Sequence, residues 1–254
     1  MMTMNTLDKK VAFITGGGRG LGFETAKGLA RLGIEVVLGA RSPEQGQRAI
    51  DLLRGEGLSA EFLLHDVLNP DHRVSAYEYL DQRFGRLDIL VNNAGIWLET
   101  ENSSVEVPNH TSTLSEDLIR RTFEVNLMAP ILLTQHLLPL IRRSAGGRIV
   151  NLSSLQASQT LHSDPLSLIY GIKPFAYSAS KSALNSFTIH LAQELINTSI
   201  KVNSIHPGWV RTQMGGPAAD LDPESGSRTA IKFATLLENG PTGGFYYEDE
   251  IIPW

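Results

Sequence analysis

Short apolar runs recur along this chain, each followed by a longer amphipathic stretch. That alternation limits the fold more than any other feature. Residues 10–15 (KVAFIT) read as a buried strand, followed by a glycine-rich loop and a helix to about Leu32. Residues 35–38, 60–64, 87–91, 148–152, 201–205 and 243–247 read as further strands. Helices are expected from Pro43, over 71–84, over 114–143 with Thr113 or Ser115 as cap, and over 175–197. Pro130 and Pro139 predict a kink or break in the third of these. Continuously apolar strands separated by helices call for a parallel sheet covered on both faces. The expected fold is α/β: a single-domain, Rossmann-type doubly wound parallel sheet of about seven strands with helices on both faces, over residues 1–254. Residues 1–8 are expected to be flexible.

Ligands of such sheets bind beyond the carboxyl ends of the strands. Three long irregular segments, 96–113, 156–173 and 208–226, follow the fourth, fifth and sixth strands and would wall one pocket. The first strand runs into Thr15-Gly16-Gly17-Gly18-Arg19-Gly20-Leu21-Gly22. Gly16, Gly20 and Gly22 give a G-x-x-x-G-x-G spacing, not G-x-G-x-x-G. The physical logic is the same: the backbone turns tightly and lets a pyrophosphate approach a helix N-terminus. A plain glycine turn is the bland alternative. After the second strand, Ala40 stands where an NAD site would carry a ribose-binding acid, and Arg41 follows. Arg41 and Arg19 suit a 2′-phosphate, which favours NADP(H) over NAD(H).

Composition removes other classes. There are no cysteines, so disulfide scaffolds, thiolate metal sites and cysteine nucleophiles are excluded. The seven histidines are scattered, and no His/carboxylate cluster has metal-ligand spacing. A net charge of −5 gives no bulk field for nucleic acid or anionic lipid. Residues 125–141 are apolar but interrupted by Asn126, Pro130, Gln135, His136 and Pro139, too often to span a bilayer. No targeting segment is visible, and a soluble, cytoplasmic protein is expected.

Tyr177-Ser178-Ala179-Ser180-Lys181 opens a helix on which Tyr177 and Lys181 share a face with Leu184, Phe187, Leu191 and Leu195. That stripe points inward. Alone, Y-x-x-x-K is usually a solvated pair. Here it is joined by the glycine loop, Asn92-Asn93-Ala94-Gly95, Val125-Asn126-Leu127, the run Gly147–Ser154 (GRIVNLSS) and Pro207-Gly208-Trp209-Val210-Arg211-Thr212. With these motifs, residues 8 to 254 strongly resemble the short-chain dehydrogenase/reductase family, in its compact single-domain branch.

The resemblance implies an NADPH-dependent oxidoreductase that reduces an aldehyde or ketone to an alcohol, reversible as an alcohol dehydrogenase. Tyr177 would be the general acid. A nearby Lys181 ammonium would bring the phenol's pKa, about 10 when free, toward the working range. Lys181 would also hold the nicotinamide ribose. Ser154, with Ser153 as near rival, would hydrogen-bond the substrate oxygen, and Asn126 would hold a water serving Lys181. The implied cofactor contacts are Gly16, Gly18, Arg19, Gly20, Leu21, Gly22 and Arg41 at the phosphates, and Asp66 and Val67 at the adenine. Asn93, Ala94 and Gly95 would lie at its ribose, and Pro207, Gly208, Val210 and Thr212 at the nicotinamide. Asn92 and Asn151 are as well suited to satisfying backbone groups between strands.

The segment between Ser154 and Tyr177 is longer than in many members and resembles the carbonyl reductase group, as does the ending from Gly240. That leaves monomer and homo-oligomer both open. Trp97, Gln156, His162 and Trp209 are the expected substrate-lining residues, and they favour a neutral, medium-sized carbonyl compound. A catalytically silent NADP-binding regulator is the alternative, disfavoured by the intact Asn126, Ser154, Tyr177 and Lys181 set. An isomerase or dehydratase of the same cofactor class is disfavoured by the short stretch after Thr212.

Overall fold

The structure, a computed structural model, describes residues 9–99 and 110–254. The strands are β1 (Val11–Thr15), β2 (Glu35–Ala40), β3 (Ala60–Leu64), β4 (Ile89–Asn92), β5 (Arg148–Leu152), β6 (Lys201–Ile205), β7 (Phe245–Tyr247) and β8 (Glu250–Ile251). They form one sheet in the order β3-β2-β1-β4-β5-β6-β7-β8. All neighbours are parallel except β7 and β8, which pair antiparallel. Among the described residues the sheet has eight strands, the seven apolar runs read from the sequence and one more. The added one is a two-residue return over the end of the chain, too short to carry an alternation pattern. The fourth strand begins two residues later than its apolar run, because Asp88 at the run's second position is spent on anchoring. Its carboxylate accepts from the Val11 amide and the Ser144 hydroxyl.

Helices α1 (Gly20–Arg31), α2 (Pro43–Gly55) and α8 (Pro223–Ala234) lie on one face, and α3 (Pro70–Phe84), α5 (Ala129–Ile141) and α7 (Phe175–Glu194) on the other. Alternation within β1 divides the core. Ala12 and Ile14 face the first group with Leu29, Leu53 and Phe233; Val11 and Phe13 face the second with Leu80, Leu137 and Leu191. Each fully buried leucine contributes about 2 kcal/mol. A smaller cluster of Ala157, Phe245 and Ile252 packs under the segment after β5.

The 114–143 helix is neither continuous nor broken. It comprises α4 (Glu116–Phe123), a π-helical turn (Glu124–Met128) and α5. Ser115 is the cap, its hydroxyl accepting from the Leu118 amide at 3.2 Å. Pro139 is absorbed inside α5, and the distortion lies ahead of Pro130 instead. There the Ala129 amide donates to the Glu124 carbonyl in the wider π spacing. The whole rod, Glu116–Ile141, is long and apolar enough by length and composition to match a bilayer, despite its interruptions. Its Leu133, Leu137, Leu140 and Ile141 are buried in the core.

Two segments expected to be irregular contain structure. Residues 156–173 include part of a 3₁₀ turn (Leu155–Ala157) and the short α6 (Gln159–Ser163). The loop expected over 208–226 ends at α8, which Asp222 caps by accepting from the Ser225 amide at 2.7 Å, with Pro223 in the first turn. The strand order reverses between β1 and β4, so a crevice opens at their carboxyl ends. Residues 1–8 and the 100–109 part of the expected 96–113 wall lie outside the described residues.

Candidate active site

The glycine loop sits at that crevice. Gly16 and Gly20 adopt φ values of 66° and 55°, which disfavour any side chain. A Cβ at Gly22 would lie 2.5 Å from both the Gly16 carbonyl oxygen and Asn93 Nδ2. The first turn of α1 follows Arg19, whose side chain makes no capping bond. Its amides therefore present the positive end of the helix dipole without a side-chain cap. Arg19 and Arg41 are both exposed, while Ala40 at the end of β2 is buried. A cradle closed to Cβ atoms, an uncapped helix start and two solvent-facing guanidiniums fit a phosphorylated dinucleotide.

Several expected contact residues have their side chains committed to holding the loops. Asn93 Nδ2 donates to the Thr15 carbonyl at 2.8 Å, and Thr15 Oγ1 accepts from the amides of Asn93 and Ala94, each at 3.1 Å. The Asn93 side chain thus braces the glycine loop. Asp66 Oδ1 accepts from the Leu68 amide at 3.0 Å, and the Asp66 amide donates to His72 Nδ1 at 2.8 Å; Val67 beside it is half-buried. Asn92 and Asn151 do not satisfy backbone groups, contrary to expectation. Asn92 Nδ2 donates to Asn151 Oδ1 and Thr134 Oγ1, and Asn151 Nδ2 to Thr188 Oγ1, a side-chain ladder across β4 and β5. From the far side, a carbon added at Gly20 would lie 3.5 Å from Thr212 Cγ2. One added at Gly226 would meet Val210 Cγ2 and Leu21 Cδ1. Pro207 and Gly208, the latter at φ 86°, turn the chain between β6 and this contact.

The α7 stripe faces inward, with Tyr177 and Lys181 only 7% and 4% exposed. Lys181 Nζ donates to the Leu152 carbonyl at 2.7 Å and stands 6.0 Å from the Tyr177 ring centroid. Gly95 completes this corner: a carbon added there would lie 3.4 Å from Asn126 Oδ1 and 3.5 Å from Lys181 Nζ. Asn126 is fully buried in the π turn. Its Oδ1 accepts from the Ile96 amide at 2.8 Å; its Nδ2 donates to the Ile96 carbonyl at 2.9 Å and Ser180 Oγ at 3.1 Å.

The charges differ from expectation in one respect. Burial pushes the Tyr177 phenol up, and the Ser154 side chain pulls the other way. The ammonium is turned to the Leu152 carbonyl, and burial has lowered its own pKa to about 8. Of the two serines, Ser154 is the one whose side chain acts on the phenol. Ser154 Oγ also accepts from the Gln156 amide at 3.3 Å.

The expected substrate-lining residues separate. The Trp97 indole stacks on the Tyr177 ring, with centroids 5.1 Å apart and planes 20° from parallel. Gln156 and His162 share one wall, His162 Nε2 lying 2.9 Å from the Gln156 carbonyl oxygen. Burial lowers the His162 pKa. Trp209 is 51% exposed and donates from Nε1 to the Gly215 carbonyl, so it lies on the rim. Arg211 Nη1 is occupied by the carbonyls of Ala219 and Asp220.

Three residues escape the sequence reading. Thr15 ends β1 like any buried strand residue. His206 Nδ1 accepts from the Leu155 amide at 3.2 Å, and burial lowers its pKa to about 4, so it remains a neutral acceptor beside Ser154. The Glu99 carboxylate accepts from the amides of Ala176 and Tyr177. Only His206 carried a signal, its place directly before Pro207.

Residues 10–221 match the short chain dehydrogenase family. Carbonyl reductase (NADPH) 1 of Mus musculus is 31% identical, the alignment covering 97% of this chain and 99% of that one. Cyclopentanol dehydrogenase of a Comamonas species is 35% identical, over 92% of this chain and 85% of its own length. The solved structure of an NADPH-bound carbonyl reductase from chicken fatty liver superposes with a TM-score of 0.82 at 26% identity, covering 97% of this chain and 99% of that one.

Proposed function

Because the chain belongs to the short-chain dehydrogenase family and is an oxidoreductase of that family, we propose that it is an NADPH-dependent carbonyl reductase, reversible as an alcohol dehydrogenase. The observation that carries this reading is the buried phenol of Tyr177, within the influence of the Ser154 side chain and one helical turn from Lys181, at the carboxyl end of the sheet. The relatives named for NADPH and carbonyl reduction support it. When bound, NADPH supplies the hydride.

Tyr177 gives its hydroxyl proton to the carbonyl oxygen. Its raised pKa keeps that proton in place at neutral pH, and Ser154 holds the same oxygen as negative charge develops. Lys181 holds the nicotinamide ribose from one helical turn beyond the phenol, its ammonium steadied by the Leu152 carbonyl. The Asn126 amide is committed to Ile96 and Ser180, so the group left for a proton-carrying water is its backbone carbonyl. Pro130 lacks the N–H that an α-helix would aim at that carbonyl. Arg41 and Arg19 read the 2′-phosphate. With Arg211 tied to its own loop, the pocket offers Trp97, Gln156 and His162 rather than a cationic clamp, which suits a neutral aldehyde or ketone.

The test is consumption of NADPH and NADH against neutral ketones, aldehydes and quinones, with oxo acids in parallel. NADPH with a neutral carbonyl compound is the expected best pair. Arg41→Asp is expected to move the cofactor ratio toward NADH by about ten- to a hundredfold, from one lost charged hydrogen bond and a new repulsion. An unchanged ratio assigns the phosphate to Arg19, and oxo acids turning over far better than neutral ketones removes the substrate class.

A further inference from the structure

Helix α7 begins without a cap of its own. Pro174 stands at the N-cap position and its side chain makes no capping bond. The Ser178 amide already bonds the Pro174 carbonyl, so the amides needing partners lie in the turn before it. Two of these are Ala176 and Tyr177, and both donate to Glu99, at 3.0 Å to Oε1 and 2.9 Å to Oε2. Glu99 belongs to the segment after β4, far away in sequence. A carboxylate there also meets the positive end of the helix dipole. Two residues earlier, Trp97 stacks on the Tyr177 ring. One short segment therefore grips the tyrosine twice, by its backbone and by its ring.

We propose that Glu99 is a positioning residue for Tyr177, capping α7 from outside the helix and fixing the phenol against Ser154. This rests on the reading of Tyr177 as the acid. The placement of the two site residues along α7 explains why the effect is on chemistry. Tyr177 is the third residue of the helix, in the turn that frays first; Lys181 is a full turn deeper and is pinned by the Leu152 carbonyl. Loosening the first turn displaces the proton donor and leaves the ribose-holding ammonium where it was. Burial raises the Glu99 pKa while the two amides oppose that rise, as befits a carboxylate enclosed for these partners.

The experiment compares Glu99→Ala, Glu99→Gln and Tyr177→Phe in the full chain, with kcat counted per NADPH-binding site so that misfolded protein drops out. Glu99→Ala is expected to lower kcat by about ten- to a hundredfold, with NADPH affinity changed less than about twofold. Glu99→Gln, which keeps one acceptor oxygen, is expected to fall between it and the wild type. It also stands in should the alanine variant fail to fold. Adding Pro174→Asp to Glu99→Ala supplies a cap from inside the helix and is expected to restore most of kcat. Wild-type kcat per site in both Glu99 variants, with Tyr177→Phe inactive, overturns the role of Glu99 alone. So does a Pro174→Asp rescue of melting temperature without rescue of kcat. Full activity in Tyr177→Phe removes the acid itself, and the positioning role with it.

Discussion

Tyr177 and Lys181 occupy the same buried face, and burial moves them in opposite chemical directions. It holds the phenol neutral and makes the ammonium easier to lose, with Lys181 lowered to about 8. For a cationic acid with a lowered pKa, the charge is present below that value and lost above it. The kcat/KM for carbonyl reduction is therefore expected to be level below about pH 8 and to decline as pH rises through it, since this ratio reports free-enzyme groups. A profile level to pH 9 or beyond would detach the alkaline limb from Lys181. At this scale the sequence was informative about which residues meet and poor about what they do to each other. The Y-x-x-x-K spacing put both on one face; it could not show that the ammonium turns to the Leu152 carbonyl instead of the phenol. Likewise, the sequence singles out Asn93 but does not show the engagement of its amide with Thr15.

The elements that position the site differ in how plainly they were written. Most strands and α7 follow from two local signals, apolar runs and a one-sided stripe. Helix α8 carried a signal that went unread, Asp222 followed by Pro223, a cap and a first-turn proline. The π turn had only Pro130, which signals a distortion but not its kind, because inserting the wider spacing for five residues barely disturbs a hydrophobic stripe. Yet that turn places Asn126, whose side chain ties together Ile96 and Ser180. Asn126→Ala leaves a half-buried amide and carbonyl of Ile96 without these partners. It is expected to destabilise the fold by about 2–4 kcal/mol, measured by denaturant unfolding. A loss below about 1 kcal/mol would mean the π turn is held by the Pro130 neighbourhood rather than by the asparagine.

For the whole molecule, one parallel sheet with a core on each face brings the ends of β1, β4, β5 and β6 to a common edge, where the site residues gather. Alternation alone was enough to foresee that architecture, because it states which surfaces must be covered. It could not foresee how the chain's last residues brace the pocket wall. Trp254 stacks on Phe245 at 5.8 Å, its carbonyl accepts from the Thr160 amide at 2.9 Å, and Ile252 packs with Ala157. Such contacts join distant segments and leave no periodic trace. A buried phenol that donates a proton beside a bound nicotinamide is central to the proposed activity, and the direct measurement is NADPH-dependent carbonyl reduction by Tyr177→Phe, with NADPH binding followed in the same preparation. Turnover is expected to fall by about 10²–10⁴-fold with cofactor affinity preserved. Reduction at close to the wild-type rate would contradict that role.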